Sequence, residues 1–509
     1  MAKTKLDKDL KRLSRMEHGT RDLGRSLVPL GIGLLFLVAT GIFAASQVGV
    51  SGVWTVAVGA TVIGAYMALN IGANDVANNM SPAVGSRTLT IGTAILIAAV
   101  AEAAGAIIAG GDVIETVSKG IIDPARMPDT ASFVIAMISA LFAAALWVNL
   151  ATWLSAPVST THSVVGGVLG AGVAMAGFGV ANWSVVAGIV ASWVVSPLMG
   201  GAIAAGFLAY LKHTVYDAPD RLSAAARQVP FLVAVMVGAF SAYLMLKGLD
   251  RLLPISLATA LLVGLGLAVL TYFLVRPQVE AKLAAAAAGT FSLGDLFTIP
   301  VIGGAVLLSF AHGANDVANA IGPLAAIYAA LEGAVEGGEV ALPFWILLVG
   351  ALGIALGLAL FGPKLIRTVG SEITKLNRVR AFCVTLSAAI TVIIASALGL
   401  PVSSTHTAIG ALFGVGFLRE YLANRAKGVS SRGRLFRLQP PEDPPVLDRG
   451  AAEIEKLRAK AEKQRKRYLV RRSHVLTIVA AWIITVPCSA LLAMGIARFL
   501  TLVGLGNLL

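Results

Sequence analysis

Charged residues are scarce in this chain of 509 residues: Asp, Glu, Lys and Arg together make up 13%, whereas 57% of the residues are hydrophobic. A soluble domain carries about 25% charged and about 45–50% apolar residues, so this composition excludes an ordinary water-soluble fold. Cysteine is scarce as well. The two cysteines, Cys383 and Cys488, lie in separate apolar segments, which excludes a disulfide framework.

Long apolar segments take up most of the sequence. Segments 26–46, 88–109 and 475–497 are examples, and each reaches the length of about 20 residues with which a helix crosses a bilayer of about 30 Å. We count about twelve such segments. The sequence therefore predicts an all-α polytopic membrane protein with about twelve transmembrane helices.

The formal charge of +13 comes from two polar segments. Residues 1–26 hold eight basic and four acidic residues, residues 421–472 hold fifteen basic and six acidic residues, and elsewhere the charges cancel. The charge therefore gives no indication of a nucleic-acid groove and favours two cytoplasmic segments near anionic lipid. The acidic loops 111–130 and 332–341 then fall on the outside, as the positive-inside rule requires. We expect a multi-pass protein of the inner, or cytoplasmic, membrane with a cytoplasmic N-terminus.

Two unusual motifs each occur twice, in the same order. GANDVANN at 72–79 recurs as GANDVANA at 313–320, and PVSTTH at 157–162 recurs as PVSSTH at 401–406. The spacing between copies is nearly constant, which indicates an internal duplication. In the topology set by charge, the two copies have opposite orientations, and such inverted repeats are typical of secondary transporters.

The duplication divides the chain into seven parts, in which each Pro-Val-Ser motif forms the tip of a re-entrant hairpin. We expect a basic tail (1–26), an extra transmembrane helix (27–47), a first inverted repeat (54–212), connecting helices and loops (213–295), a second inverted repeat (296–420), a basic cytoplasmic loop (421–472) and a final transmembrane helix (473–509).

An Asn-Asp pair inside an apolar segment is costly unless it faces a protein-lined cavity. We expect Gly72 to break its helix ahead of such a pair. Carboxylates and amides suit a coupling cation, and the candidate ligands are Asn74, Asp75, Asn315, Asp316 and Glu102, with a Na⁺ site possible near the first four. Glu102 has no acidic counterpart, because alignment of the copies places Ile354 there.

The second motif has the pattern of a helix N-terminus, where hydroxyls and backbone N–H groups converge on an oxyanion. Tetrahedral phosphate suits two such helix ends. The candidate phosphate-binding residues are Ser159, Thr160, Thr161, Ser403, Ser404, Thr405, Asn78, Asn319, Asp75 and Asp316. His162 and His406 are open to two interpretations, a proton-sensitive group or a donor that holds its hairpin.

None of the four motifs contains Lys or Arg. A phosphate beside two ionised aspartates would place three to four negative charges together, and each close pair costs about 4 kcal/mol at an effective dielectric constant near 20. A cotransported cation or protonation of the aspartates would relieve this repulsion. The motifs therefore favour symport over a passive pore.

At these motifs, from about Trp54 to the C-terminus, the sequence resembles the inorganic phosphate transporter (PiT) family. The resemblance implies an importer of phosphate with Na⁺ or H⁺, without a cofactor, and often a homodimer. Two alternatives stay open: a permease for sulfate or another tetrahedral oxyanion, and a symporter of a neutral metal–phosphate complex. An intramembrane hydrolase using Ser159 and His162 is disfavoured, because one active site needs no inverted copy, and we expect no enzyme activity.

Overall fold

Fourteen α-helices form the part of the chain that the computed structural model describes, which is residues 5–50, 52–154, 156, 158–249, 255–286, 292–333, 343–372, 376–425 and 472–508. They are α1 (Lys5–Val48), α2 (Val53–Gly85), α3 (Ile91–Ala109), α4 (Gly111–Glu115), α5 (Thr130–Trp153), α6 (Thr160–Ala176), α7 (Trp183–Leu211), α8 (Arg221–Leu244), α9 (Leu257–Ala286), α10 (Thr298–Leu331), α11 (Phe344–Glu372), α12 (Arg378–Ala397), α13 (Ser404–Arg425) and α14 (Arg472–Leu502).

Eleven helices among these residues are long and apolar enough to cross a membrane, close to the twelve predicted. Large apolar side chains cover the outside of several of them: Leu35 is 67% exposed, Leu262 70% and Leu491 67%. Water would make so large an apolar surface unfavourable, whereas lipid does not. The predicted all-helical polytopic membrane fold is confirmed.

α1 is a single helix, and its apolar part is Leu27–Val48. The predicted extra transmembrane helix at 27–47 is thus the second half of a longer helix. α8 and α9 pack on each other within the predicted connecting region. Most of the predicted basic loop, residues 426–471, lies outside the described residues.

The helices of the two motif copies pack largely on one another. α2, with the first Asn-Asp motif, packs on α11, and α10, with the second, packs on α3. In the same way α6 packs on α14, whereas α13 packs on α7. Each helix that carries a motif therefore packs on a helix of the other copy, and the same pairing occurs in both directions.

Glycines make these helix contacts unusually close. A Cβ on Gly72 would lie 1.9 Å from the carbonyl oxygen of Ile354, and one on Gly313 would lie 2.0 Å from that of Glu102. The predicted helix break at Gly72 is wrong, because α2 continues from Val53 to Gly85. Gly72 lets two helix backbones touch, which is the other use of a residue that lacks Cβ.

Breaks in the helices occur instead at the Pro-Val-Ser motifs. α5 ends at Trp153 and α6 begins at Thr160, and the two helices pack side by side, as do α12 and α13. The side chain of Ser159 accepts a hydrogen bond from the backbone N–H of His162 at 3.1 Å. The predicted helix start after Ser159 is confirmed, whereas Pro157 lies outside the described residues.

Candidate functional site

Asp75 lies where α2 meets the first turns of α6 and α13, and its side chain is fully buried. The hydroxyl of Thr160 donates to its Oδ2 at 3.1 Å, and that of Thr405 donates to its Oδ1 at 2.9 Å. The amide of Asn78 donates to Oδ1 at 3.3 Å and to the Thr405 hydroxyl at 2.7 Å. One carboxylate therefore accepts hydrogen bonds from hydroxyl groups of both predicted hairpins.

Asp316 is arranged similarly on α10. The hydroxyl of Ser404 donates to its Oδ2 at 3.0 Å. Asn319, one turn further along, donates to the hydroxyls of Thr161 at 3.1 Å and of Thr160 at 3.4 Å. A carboxylate oxygen of Asp316 lies within 4.8 Å of one of Asp75. The structure thus places both aspartates in one buried cluster.

Asn74 and Asn315 hold the backbone that leads into α6 and α13. Asn74 accepts from the N–H of Val158 at 3.3 Å and donates to the carbonyl of Ala156 at 3.3 Å. Asn315 accepts from the N–H of Val402 at 3.2 Å and donates to the carbonyl of Leu400 at 3.2 Å. In this structure the two amides serve the chain before each helix. Their role as cation ligands stays a prediction.

The predicted phosphate-binding hydroxyls divide into two groups. Thr160, Ser404 and Thr405 contact the aspartates, and Thr161 donates to the carbonyl of Val402 at 3.0 Å while accepting from Asn319. Ser159 and Ser403 instead cap their own helices. The structure therefore brings four of the six hydroxyls into the cluster.

His312 is the residue of the cluster that motif analysis missed. It precedes the second Asn-Asp motif and is fully buried. Its Nε2 lies 2.8 Å from Asp316 Oδ2 and 3.7 Å from Asp75 Oδ2, and its Nδ1 lies 3.2 Å from Glu102 Oε2. An ionisable side chain inside an apolar helix is itself a functional signal, and that signal could have found His312.

Glu102 and Asn79 extend the cluster on the same side. The amide of Asn79 donates to Glu102 Oε1 at 2.8 Å, and both side chains are fully buried. The equivalent positions in the other copy are apolar: Ile71 corresponds to His312, Ala320 to Asn79 and Ile354 to Glu102. The contacts of Gly72 and Gly313 with the carbonyls of Ile354 and Glu102 support the last pair. His312, Asn79 and Glu102 therefore make the site polar on one side of the aspartate pair, and the other copy has no equivalent polar side chains.

Several acceptor oxygens of the cluster have no hydrogen-bond donor among the described residues. They are Asn79 Oδ1, Asp316 Oδ1 and Asn319 Oδ1. Buried acceptors without donors are costly, and a cation satisfies them directly. The cluster is thus better suited to a positive ion than to a further anion at these atoms.

His162 and His406 lie beside the cluster, where the first turns of α6 and α13 meet. Their ring centroids are 4.4 Å apart with the planes nearly perpendicular, and the ring of His162 lies 3.7 Å from that of Trp193. Both imidazoles are buried. They form an aromatic contact between the two predicted hairpins.

Comparison with known proteins shows the family of this chain. The family model described as "Phosphate transporter family" matches residues 71–493, a range that includes all four motifs. The chain belongs to the phosphate transporter family. The resemblance seen in the motifs is thereby confirmed, and the family is one of transporters.

Individual relatives match over most of the chain. A Helicobacter pylori (strain J99) protein named "Putative phosphate permease" is 45% identical over 517 residues, which cover 95% of this chain and 97% of the relative. The Arabidopsis thaliana "Inorganic phosphate transporter 2-1, chloroplastic" is 39% identical over 394 residues, covering 72% of this chain and 66% of that one. A solved structure described as "The sodium-dependent phosphate transporter" has a TM-score of 0.73 and 32% identity, and covers 88% of this chain and 100% of that chain.

Proposed function

We propose that this member of the phosphate transporter family imports inorganic phosphate by symport with Na⁺ or H⁺. The observation that carries the proposal is the pair formed by Asp75 and Asp316. These carboxylates come from the two motif copies and meet in a buried cluster, where hydroxyls from α6 and α13 contact them. A central site shared by two inverted copies is typical of secondary transporters that work by alternating access.

Electrostatics supports coupling to a cation. Two ionised aspartates within 4.8 Å repel by about 4 kcal/mol at an effective dielectric constant near 20, and a phosphate beside them adds to this repulsion. Sodium bound to the carboxylates, or a proton on them or on His312, which lies between them, reduces the repulsion. Phosphate binding and cation binding therefore favour each other, which is the thermodynamic basis of symport.

Phosphate is proposed to bind at the starts of α6 and α13. Thr160 and Thr161 lie in the first turn of α6, and Ser404 and Thr405 in that of α13. The first turns of helices carry N–H groups without intrahelical partners and the positive end of the helix dipole, both of which favour an oxyanion. Asn78 and Asn319 hydrogen-bond these hydroxyls and orient them.

The proposal includes the membrane arrangement expected from the sequence. The two copies have inverted orientation in the cytoplasmic membrane, the N-terminus is cytoplasmic, and two chains form a homodimer. Labelling of single cysteines placed at Lys212 and Asp123 in intact cells tests the orientation, because only the second is expected to react from outside. Light scattering on the detergent-solubilised protein tests the dimer.

Uptake of phosphate into proteoliposomes, with Na⁺ and pH gradients imposed separately, tests the function. One gradient is expected to drive accumulation, and Asp75→Asn is expected to abolish the driven component, since it removes the charge while keeping the side-chain shape. Asp217→Asn is the matched control, because Asp217 forms an exposed ion pair with Lys212. Full gradient-driven uptake by Asp75→Asn refutes the assigned role, and uptake of sulfate that phosphate does not inhibit refutes phosphate as the substrate.

A further inference from the structure

The first turns of α6 and α13 carry a matched pair of histidines. His162 and His406 occupy the same position of the two repeated motifs, three residues after the serine that caps each helix. Their ring centroids are 4.4 Å apart with the planes at 85°, and both side chains are at most 4% exposed. Each ring directly follows Thr161 or Thr405, two of the hydroxyls proposed to bind phosphate.

We propose that the contact between His162 and His406 is a spacer that fixes the distance between the two helix starts and thereby sets the size of the tetrahedral anion that fits between them. The two histidines are positioning residues, because they act through the hydroxyls next to them. The inference rests on the proposed function in one respect, the binding of phosphate at the starts of α6 and α13. It adds the residues that determine which oxyanion is accepted.

The first argument is the geometry of the ring contact. Nearly perpendicular planes at 4.4 Å place the edge of one imidazole against the face of the other, at the short end of the distances that aromatic pairs prefer. A closer approach of the helices would make the rings overlap, and a separation would open an empty space in a buried, closely packed region. The contact therefore resists displacement in both directions.

The second argument is the support that α7 gives to both rings. The indole of Trp193 on α7 lies 3.7 Å from the ring of His162, measured between centroids. α7 also packs directly on the backbone of α13, because a Cβ on Gly410 would lie 2.2 Å from the carbonyl oxygen of Pro197. One helix thus positions His162 through its indole and His406 through the backbone of α13.

The third argument is that α14 holds α6 from behind. A Cβ on Gly170 of α6 would lie 2.3 Å from the carbonyl oxygen of Ala490 on α14. The hydroxyl of Ser489 donates to the carbonyl of Ser163, the residue after His162, at 2.5 Å. With α14 behind α6 and α7 behind α13, the two rings determine how near the helix starts come to each other.

The hydroxyls beside the rings show what this distance controls. Thr161 donates to the carbonyl of Val402, in the chain before α13, at 3.0 Å, and Thr405 donates to Asp75 at 2.9 Å. A tetrahedral oxyanion between two helix starts needs its oxygens within about 2.5–3.2 Å of donors on both. A change in the spacing of the helices therefore changes which anion fits. Arsenate is a sharp probe, because it shares the shape and charge of phosphate but has longer bonds to oxygen.

Uptake of phosphate and of arsenate into proteoliposomes by the full-length protein tests the spacer. His162→Ala and His406→Ala should each raise the KM for phosphate about 10-fold or more, with kcat less affected, since displaced binding groups lose affinity steeply. Both variants should also narrow the preference for phosphate over arsenate. His213→Ala, which removes an exposed histidine, is the control and should match the wild type.

Two further variants separate the ring from its nitrogens. His162→Phe keeps an aromatic ring and should restore the low KM and the preference for phosphate. His162→Gln keeps a hydrogen-bonding group without a ring and should behave like His162→Ala. Recovery by glutamine but not by phenylalanine, an unchanged preference in the alanine variants, or equal uptake of both anions by the wild type overturns the proposal.

Thermal unfolding of the detergent-purified variants separates this inference from the proposed function, because it needs no transport. The double variant His162→Ala, His406→Ala should unfold at about the temperature of either single variant, since the same contact is lost in all three. Additive lowering of the unfolding temperature shows that the rings do not act on each other, which overturns the spacer and leaves symport standing. A coupled pair in a protein without gradient-driven phosphate uptake keeps the ring contact and rejects the proposed function.

Discussion

Replacing Gly313 with alanine is expected to force α10 away from α3. The added Cβ would lie 2.0 Å from the carbonyl oxygen of Glu102 and 2.7 Å from its carbonyl carbon. Ordinary contacts between carbon and oxygen are about 3.3 Å or longer, so the two backbones must separate locally by more than about 1 Å. Because helix backbone stands on both sides, no side chain can rotate to relieve the clash.

The expected loss of folding stability follows from two opposing effects. Overpacking a well-packed core costs about 1–3 kcal/mol, and a backbone clash belongs at the upper end of that range. Alanine in place of glycine stabilises the helix by about 1 kcal/mol, because alanine has the higher helix propensity. The net loss of stability is therefore about 2 kcal/mol. The displacement also moves Glu102 relative to His312, so phosphate uptake should fall as well.

Thermal unfolding of the detergent-purified protein and uptake into proteoliposomes measure these effects. Gly303→Ala is the control on the same helix, because its Cβ would meet the flexible end of Met236 at 2.4 Å, which can turn aside. That variant should be as stable as the wild type or more so. If Gly313→Ala were equally stable and transported normally, the backbone contact would not have the importance given to it here.

Two further predictions concern the chain leading into α6 and α13. Asn315→Ala removes the hydrogen bonds to the backbone of Val402 and Leu400 and should lower the free energy of unfolding by about 1–3 kcal/mol, with reduced phosphate uptake; normal uptake would show that this segment needs no such support. Ser159→Ala removes the N-cap of α6 and should cost about 1 kcal/mol in thermal unfolding, whereas Ser184→Ala, at an exposed hydroxyl, should cost less.

The duplicated polar residues were the part of the site that the sequence revealed most clearly. Asp75 and Asp316 stand out because charge inside an apolar helix is costly and because the same costly pair occurs twice. His312 was missed for the opposite reason: its counterpart is Ile71, and comparison of the copies directs attention to what they share. Its position inside an apolar helix could have revealed it, as it revealed Glu102, but its contacts with the two aspartates could be recognised only in the structure.

Gly72 shows a different limit of prediction from the sequence. A helix break and a close helix contact both require the absence of Cβ, so the residue type alone cannot separate them. The answer depends on Ile354, which is distant in sequence and is brought near by α11. In contrast, the helix starts at Thr160 and Ser404 could be predicted, because their capping residues are adjacent in the chain.

The exchange of helix partners between the two copies bears on how such a chain could arise. α2 and α6 rest on α11 and α14, and α10 and α13 rest on α3 and α7. A half-length ancestor would have exposed these faces unless it met a second molecule of itself. The two halves of the present chain cover each other in the way that two copies of such a molecule would, although their sequences differ at positions such as Glu102 and Ile354.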